Sequence, residues 1–415
     1  MFLKLSAMSY KRLGNYIQQV NVRNRDSATE VLLGVSITKK LIPSIANIIG
    51  TDMSVYKIIE KRQFAYGTVT SRNGEKISIA LSDQYDKALV SQIYVVFEVI
   101  DTDELLPEYL MMWFSRPEFD RYVRFHSHGS TRETFDWADM CEVELPIPTI
   151  EEQREIVAQY QSIANKIKVN EQICEKLEAT AQALYKHWFV DFEFPNEEGN
   201  PYKSSKGKMV WNEELGKEIP EGWEVKRLGD ISKIITKGTT PEKMSSLKND
   251  YYSIPFIKGE TINENHTLNI DKTSYINDNI HNTDLKRSII YKHDILFSIA
   301  GTLGKYSIYE ENHNANCNQA VAIIRSNKAK YIYWNFLANE HKEYFNFNIQ
   351  QAVQANYSLD TVSNYRLLVA KDDDLVDFFT TKIYSPILNF RVQNQKIAQL
   401  QSLLLSRLGR KNLLI

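Results

Sequence analysis

Apolar positions between residues 156 and 188 repeat with alternating steps of four and three: Ile156, Tyr160, Ile163, Ile167, Cys174, Leu177, Ala181, Leu184 and Trp188, with Asn170 completing the series. This is the a/d spacing of a coiled coil, in which one stripe of a helix must meet a partner helix. Pro146-Ile147-Pro148 ends the extended segment before it, Thr149 is a good N-cap, and Glu152 three residues on completes a capping box. A helix is therefore expected from near Ile150 to Trp188, about 57 Å long at ~1.5 Å per residue. A helix of that length projects and needs a partner. Asn170, the one polar member of the stripe, is read as fixing register, since a lone buried Asn costs stability but disfavours other pairings. Phe390, Ile397, Leu400, Leu404 and Leu408 form a second stripe, with Arg407, Arg410 and Lys411 near its C-terminal dipole. Pro386 lies inside that region, so the second helix is expected to be kinked or to start late.

The rest of the chain repeats itself. Tyr10-Lys11-Arg12-Leu13-Gly14 recurs as Val225-Lys226-Arg227-Leu228-Gly229 at an offset of 215. Tyr109, Leu110, Phe114, Tyr122, Phe125, Phe135 and Leu145 match Tyr331, Ile332, Phe336, Tyr344, Phe347, Tyr357 and Leu367 at one offset of 222. Because the matches continue past any single helix, the chain reads as a tandem duplication. Within the copies, Ser91 to Val99 and Gln319 to Ile324 read as buried strands, and Leu110 to Tyr122 and Ile332 to Phe345 as helical. Glu193 to Lys208 is rich in Pro, Gly, Asn and Ser without periodicity and reads as linker or loop. The expected organisation is a first globular copy at 1–148, a spacer helix at 149–192, a linker at 193–214, a second copy at 215–371 and a C-terminal spacer helix at 372–415. The fold class is α+β.

Composition narrows the function. At 415 residues with 43% hydrophobic content, two or three packed domains are affordable, and 50 Lys and Arg against 52 Asp and Glu leave a net charge of −2. No segment is strongly basic, so a nucleic-acid surface has to be one face of a neutral domain or be shared with partners. The three cysteines, Cys141, Cys174 and Cys317, are far apart and form no CxxC pair, which fits a reducing compartment. No apolar run approaches a membrane span and the start lacks the apolar core of a signal peptide, so a cytoplasmic location is expected. No G-x-G occurs among the 16 glycines and G-x-S-x-G is absent. Gly301-x-x-Gly304-Lys305 is two residues short of a phosphate loop and has Tyr306 where Ser or Thr is needed. Asn200-Pro201-Tyr202 reads as a turn, and His126-x-His128 as two loop histidines with no third metal ligand nearby. No active site is legible.

What remains is a recognition layout, and here the motifs become specific. Leu145-Pro146-Ile147-Pro148 followed by Glu151-Glu152-Gln153-Arg154-Glu155-Ile156-Val157 resembles the junction of specificity (S) subunits of type I restriction-modification systems. Leu184 to Phe192 is similar to the segment closing that family's central helix. Ile219-Pro220-Glu221-Gly222-Trp223, Leu228-Gly229-Asp230-Ile231 and Gly238-Thr239-Thr240-Pro241 resemble the start of its second target-recognition domain, and Ser402 to Leu408 its C-terminal helix. At the second junction Ala370-Lys371-Asp372-Asp373-Asp374 stands where the family usually shows Pro and Glu-Gln, and the tail from Gly409 to Ile415 also departs. The resemblance implies a non-catalytic subunit in which each domain reads half of a bipartite double-stranded DNA target and the paired antiparallel helices set their separation. It implies docking of two methyltransferase (M) subunits, joined by restriction/translocase (R) subunits. No cofactor is expected in this chain; S-adenosylmethionine, ATP and Mg2+ belong to those partners. A coiled-coil adaptor, or a stand-alone DNA methyltransferase or nuclease, are the alternatives.

Base reading needs Arg, Lys, Asn, Gln, Ser or Thr on loops that reach groove edges. In the first copy the candidates are Arg72, Asn73 and Lys76, on a turn between two β-like runs, and Ser130, Thr131 and Arg132 just before the final strand. In the second they are Lys237, Thr239, Thr240, Lys305, Gln351, Gln354 and Asn356. Trp188 and Phe189 are either core or a docking surface for the methyltransferase.

Overall fold

The computed structural model describes residues 10–26, 29–44, 52–71, 76–129, 132–269, 273–337, 340–350, 356–370 and 373–408. The chain divides into two compact units, residues 1–172 with 391–415, and residues 173–390. Each holds one globular copy and a stretch of paired helix.

In the first unit, β1 (Tyr10–Arg12), β2 (Ile17–Val20), β3 (Leu32–Val35), β4 (Leu41–Pro43), β5 (Lys57–Glu60), β6 (Phe64–Gly67), β7 (Ile79–Leu81), β8 (Lys87–Val90) and β9 (Tyr94–Val99) precede three helices, α1 (Pro107–Phe114), α2 (Pro117–His126) and α3 (Trp137–Glu142). Strand β10 (Glu144–Pro146) then leads into the long helix α4 (Ile150–Tyr185). One sheet has the order β2-β9-β6-β7 and the other β4-β3-β8-β5. Phe64, Ala65 and Tyr66 are all fully buried, so β6 is covered on both faces and shows no apolar-polar alternation. The stretch from Leu110 to Tyr122 is two helices rather than one. Pro117 has no N–H to donate and pushes Arg116 into an extended conformation (ψ 140°), which ends the first helix and starts the second.

The second unit opens with β11 (Met209–Asn212) and β12 (Lys217–Pro220), a hairpin. It continues with β13 (Glu224–Arg227), β14 (Ile234–Lys237), β15 (Ile254–Ile257), β16 (Ser274–Ile276), α5 (Asp278–Asn282), β17 (Ile295–Ser298), β18 (Tyr306–Ile308), β19 (Asn316–Cys317) and β20 (Val321–Arg325). Helices α6 (Ala329–Leu337), α7 (Lys342–Gln350) and α8 (Leu359–Asn364), strand β21 (Arg366–Val369), α9 (Asp373–Phe379) and α10 (Ser385–Arg407) complete it. The sheet β14-β20-β17-β18 repeats the order β2-β9-β6-β7, and β16-β15-β19 repeats β4-β3-β8, including the one parallel pair.

The duplication extends to register. β1 pairs with β10 so that Lys11 faces Leu145, and β13 pairs with β21 so that Lys226 faces Leu367. The two offsets, 215 and 222, are thus the two sides of one conserved strand pair. The glycine ending each motif is needed for close approach. A Cβ on Gly14 lies 2.8 Å from the Cβ of Cys141, and one on Gly229 collides with the hydroxyl of Ser363, the equivalent residue. Tyr109 donates its hydroxyl to Pro146 O (3.0 Å), and Tyr331 does the same to Leu368 O.

Helix α4 begins where the capping box sets it: Thr149 N–H donates to the Glu152 carboxylate (3.1 Å) and Glu152 N–H to Thr149 Oγ1 (3.3 Å). It runs on through a π turn at Lys186–Val190. The second helical region starts ahead of Pro386, at Asp373, contrary to the expected late start, and a π turn at Thr380–Tyr384 joins α9 to α10 as one at Lys186–Val190 follows α4. In the first unit the fully buried Asn170 donates to Asn394 Oδ1 (2.8 Å), Asn394 donates to Ile167 O (3.3 Å), and Ile156, Val157 and Tyr160 share a core with Leu405 and Leu408. In the second unit Cys174 Sγ lies 3.8 Å from Ile387 O and the rings of Tyr185 and Phe379 are 6.3 Å apart. In each unit later residues of α4 meet earlier residues of the second helix, so the pairing is antiparallel. Phe189 is core, enclosed by Tyr185, Trp223, Tyr331 and Phe379, while Trp188 packs on Phe378 and Phe379.

The segment read as a linker carries structure. Phe194 stacks between Tyr202 (4.6 Å) and Trp223 (5.1 Å), and Glu193 accepts hydrogen bonds from Ser204. Its aromatics supply the buried area that its Gly, Asn and Ser content conceals.

Candidate nucleic-acid interface

The hairpin between β6 and β7 spans residues 68–78, and its start is sewn to the segment that follows α2. Thr70 Oγ1 donates to Ser127 Oγ (3.1 Å), Thr70 N–H to Glu133 O (3.0 Å) and Phe135 N–H to Thr68 O (2.8 Å). The root of the hairpin, residues 68–70, and the segments flanking the second candidate cluster, Ser127 and residues 133–135, therefore lie side by side. Lys76 and Arg132 are exposed; Arg72, Asn73, Ser130 and Thr131 lie outside the described residues. Ile77 N–H donates to the Asp120 carboxylate (3.2 Å), which also pairs with Lys39 (2.8 Å). Burial pushes the Lys39 ammonium below its usual range, opposed by Asp120. This buried pair ties the far end of the hairpin to α2.

The second copy reproduces the arrangement with a shorter hairpin, residues 299–305 between β17 and β18. Tyr357 N–H donates to Ile299 O (2.9 Å) and Asn356 bridges to Ala300, as Phe135 and Thr134 do to Thr68 and Val69. Asn356 is exposed; Gln351 and Gln354 lie outside the described residues. Lys305 sits at the base of the hairpin: its carbonyl accepts from Ser298 N–H (2.7 Å), and its ammonium lies 2.8 Å from the exposed Glu264.

Lys237 ends β14, Thr239 and Thr240 follow it, and all three are exposed. Gly238 permits the turn because a Cβ there collides with Cys317 O. Thr240 Oγ1 donates to Gln319 Oε1 (2.5 Å), and Ile299 N–H to Ala320 O (2.8 Å), which brings this segment to the same end of the sheet as the hairpin. A similar contact, one residue out of register with it, bridges the same two strands in the first copy: Arg23 Nη1 to Gln92 Oε1 (3.5 Å). Arg23, Gln92 and Gln319 were not singled out from sequence. The strand pairing β2 to β9, repeated by β14 to β20, places both contacts at the same end of the equivalent sheets.

The chemistry gathered at these two ends is that of hydrogen-bond donors and acceptors on loops. Among the described residues no group of three or more His, Cys, Asp or Glu is placed to hold a metal ion. His126 closes α2 with Nδ1 at 2.9 Å from Tyr122 O, and His128 lies 3.7 Å from Asp139. None of the three cysteines forms a disulfide, and burial pushes the Cys317 thiol up to about 12. No described helix is long and apolar enough to cross a membrane.

Comparison with known proteins agrees with this architecture. The sequence profile described as "Type I restriction modification DNA specificity domain" matches twice, over residues 46–179 and 220–374. The chain belongs to this family, with two copies of its domain. It is 33% identical over 204 residues to the type I restriction enzyme MjaIX specificity subunit of Methanocaldococcus jannaschii, a match covering 49% of this chain and 44% of that one. It is 23% identical over 422 residues to the type I restriction enzyme HindI specificity subunit of Haemophilus influenzae, covering 88% and 89% respectively. The fold is similar to that of a crystal structure of the type I restriction-modification S subunit from M. genitalium, with a TM-score of 0.52 and 13% identity over 98% of this chain and 97% of that one. The chain spans less than half the length of the MjaIX subunit and nearly all of the HindI subunit.

Proposed function

We propose that this chain is the sequence-specificity subunit of a type I restriction-modification complex, with each copy reading one half of a bipartite double-stranded DNA target. The observation that carries the reading is the repeated convergence of a hairpin, a helix-following segment and a post-strand turn at one end of each copy's sheet, all lined by polar side chains. Arg72, Asn73, Lys76, Ser130, Thr131 and Arg132 are the base-contact candidates of the first copy. Lys237, Thr239, Thr240, Gln351, Gln354 and Asn356 are those of the second, with Lys305 reaching DNA only by leaving Glu264. Two methyltransferase subunits and the restriction subunits are the partners this role calls for. They supply S-adenosylmethionine, ATP and Mg2+ chemistry, and the chain itself neither methylates nor cleaves.

Single-molecule methylome sequencing of a host with and without the gene tests the reading: one bipartite motif is expected to lose methylation when the gene is removed. An unchanged methylome despite expression of the whole complex contradicts it. Arg72→Ala and Arg132→Ala are each expected to weaken binding by about 1 to 3 kcal/mol where they make a base contact, with relaxed choice at one position. Unaltered methylation of near-cognate sites in both variants removes them from the list.

A further inference from the structure

Two aromatic rings stand out of the surface at equivalent places. Phe125 is 83% exposed and Phe347 is 60% exposed, and the same offset of 222 that aligns the two cores relates them. Each lies near the C-terminal end of a surface helix of its copy, α2 or α7. The opposite faces of these helices are well used: Phe119, Val123 and Phe345 are buried. The exposed rings are therefore surplus to the core.

Their position is informative. Phe125 precedes by two residues Ser127, whose hydroxyl meets Thr70 at the root of the first hairpin. Phe347 is on the helix leading to Asn356, which bridges to Ala300 at the root of the second. Each ring thus flanks the converging loops of its own copy. The neighbours of the rings say what covers them. Around Phe125 the exposed helix positions are Arg121 and Arg124; the equivalents around Phe347 are Glu343 and Asn346, both exposed. Two copies of one protein subunit would meet two similar surfaces, whereas two different DNA half-sites meet different ones. A ring kept in both copies amid changed polar neighbours suits the feature every duplex shares, the faces of its stacked bases, while the neighbours suit base edges and phosphates, which vary in pattern. Aromatic stacking on bases is tolerant of sequence, and apolar side chains inserted at a base step open the stack.

We propose that Phe125 and Phe347 are paired wedges, each inserting its ring at a base step within the half-site read by its own copy. The proposal rests on the DNA-reading role proposed above. It is tested in the full complex with methyltransferase subunits, using Phe125→Ala, Phe347→Ala and Phe125→Trp, on duplexes carrying the methylome-defined target with 2-aminopurine placed in turn along each half-site. The wild-type complex is expected to raise the fluorescence at one step in each half-site. Phe125→Ala should abolish the rise in the first copy's half-site only, and Phe347→Ala in the other only, each with a loss of target affinity of roughly 5- to 100-fold. Phe125→Trp should keep both the signal and the affinity. Tight binding by both Ala variants with the wild-type fluorescence pattern overturns the wedge while leaving DNA reading intact. Loss of methyltransferase association in the Ala variants, with unchanged DNA signal in whatever complex remains, assigns the rings to a protein interface and overturns it as well. Failure of the wild-type complex to bind any duplex defeats the DNA-reading role and the wedge together.

Discussion

The two copies attach their long helices by different chemistry. In the first, Gln153 is fully buried at the start of α4. It accepts from Leu106 N–H (2.8 Å) and donates to Glu104 O (2.8 Å) and Pro148 O (3.0 Å), locking the helix to the loop before α1. At the equivalent place the second copy has Leu375, packed against the apolar core beside Phe379 and followed by a π turn. A second exchange lies in the helix that feeds the reading loop, where Phe119 of the first copy becomes His341 of the second, both buried. The hairpin of the first copy is also longer, residues 68–78 against 299–305. What was duplicated and kept is the frame: strand register, the glycine contacts and the Tyr109 and Tyr331 hydroxyl bonds. What diverged is the helix lock and the loops. Divergence at the loops is what two different half-sites require, and divergence at the lock shows that one geometry can be held by polar or by apolar means.

The largest difference is expected from Gln153→Leu. Converting the polar lock to the residue type of the second copy leaves one donor and two acceptors of the first copy without partners, and should destabilise the first unit by about 2 to 4 kcal/mol. Hydrogen exchange of the intact chain should report the loss at residues 104–110 and the first turns of α4; unchanged protection there means that the glutamine is not the lock.

A smaller effect is expected in the paired helices. Asn170→Leu leaves the half-buried Asn394 against an apolar partner and should cost about 1 to 3 kcal/mol in urea unfolding. Adding Asn394→Leu should restore or exceed the original stability while weakening the preference for one register. If the double variant stays as destabilised as the single one, the Asn pair is not an interacting unit.

The smallest effect separates the copies by pH. Burial pushes His341 down to about 3, with Lys342 and His266 acting in the same direction. Its folded value lies below the ~6.5 of the unfolded chain, so the folded state takes up its proton last. The stability it contributes is present above about pH 6.5 and is lost as pH falls from there toward 3. Lowering pH from 7.5 to 5.5 should therefore cost the second unit about 1 kcal/mol through this group. His341→Phe, which restores the residue type of the first copy, should remove that share of the acid sensitivity; equal acid sensitivity with and without the histidine assigns it to other groups.

Much of the frame was legible because it rests on periodic or local signals. The a/d stripe, the Thr149 to Glu152 capping box and the offsets of 215 and 222 each follow from spacing, and each corresponds to a contact in the structure. Pro386 is expected from sequence to kink or delay the second helix; instead the helical region begins at Asp373 and runs through the proline, with a π turn at Thr380–Tyr384 just ahead of it. The break at Pro117 was missed because the apolar period continues across it. The candidate interface was legible only as residue types on loops. That residues 70 and 127 touch, that Thr240 meets Gln319, and that Lys305 is held by Glu264 are consequences of sheet order, which brings together segments far apart in sequence.

The central claim is that the chain is one reader built twice, each copy recognising its own half-site. Exchange of residues 1–148 for the matching domain of a relative with a known, different target, followed by methylome sequencing of a host carrying the exchanged chain with its partner subunits, tests it most directly. The account expects one half of the methylated motif to change to that of the relative, with the other half retained. A motif altered in both halves, or in neither while methylation continues, contradicts it.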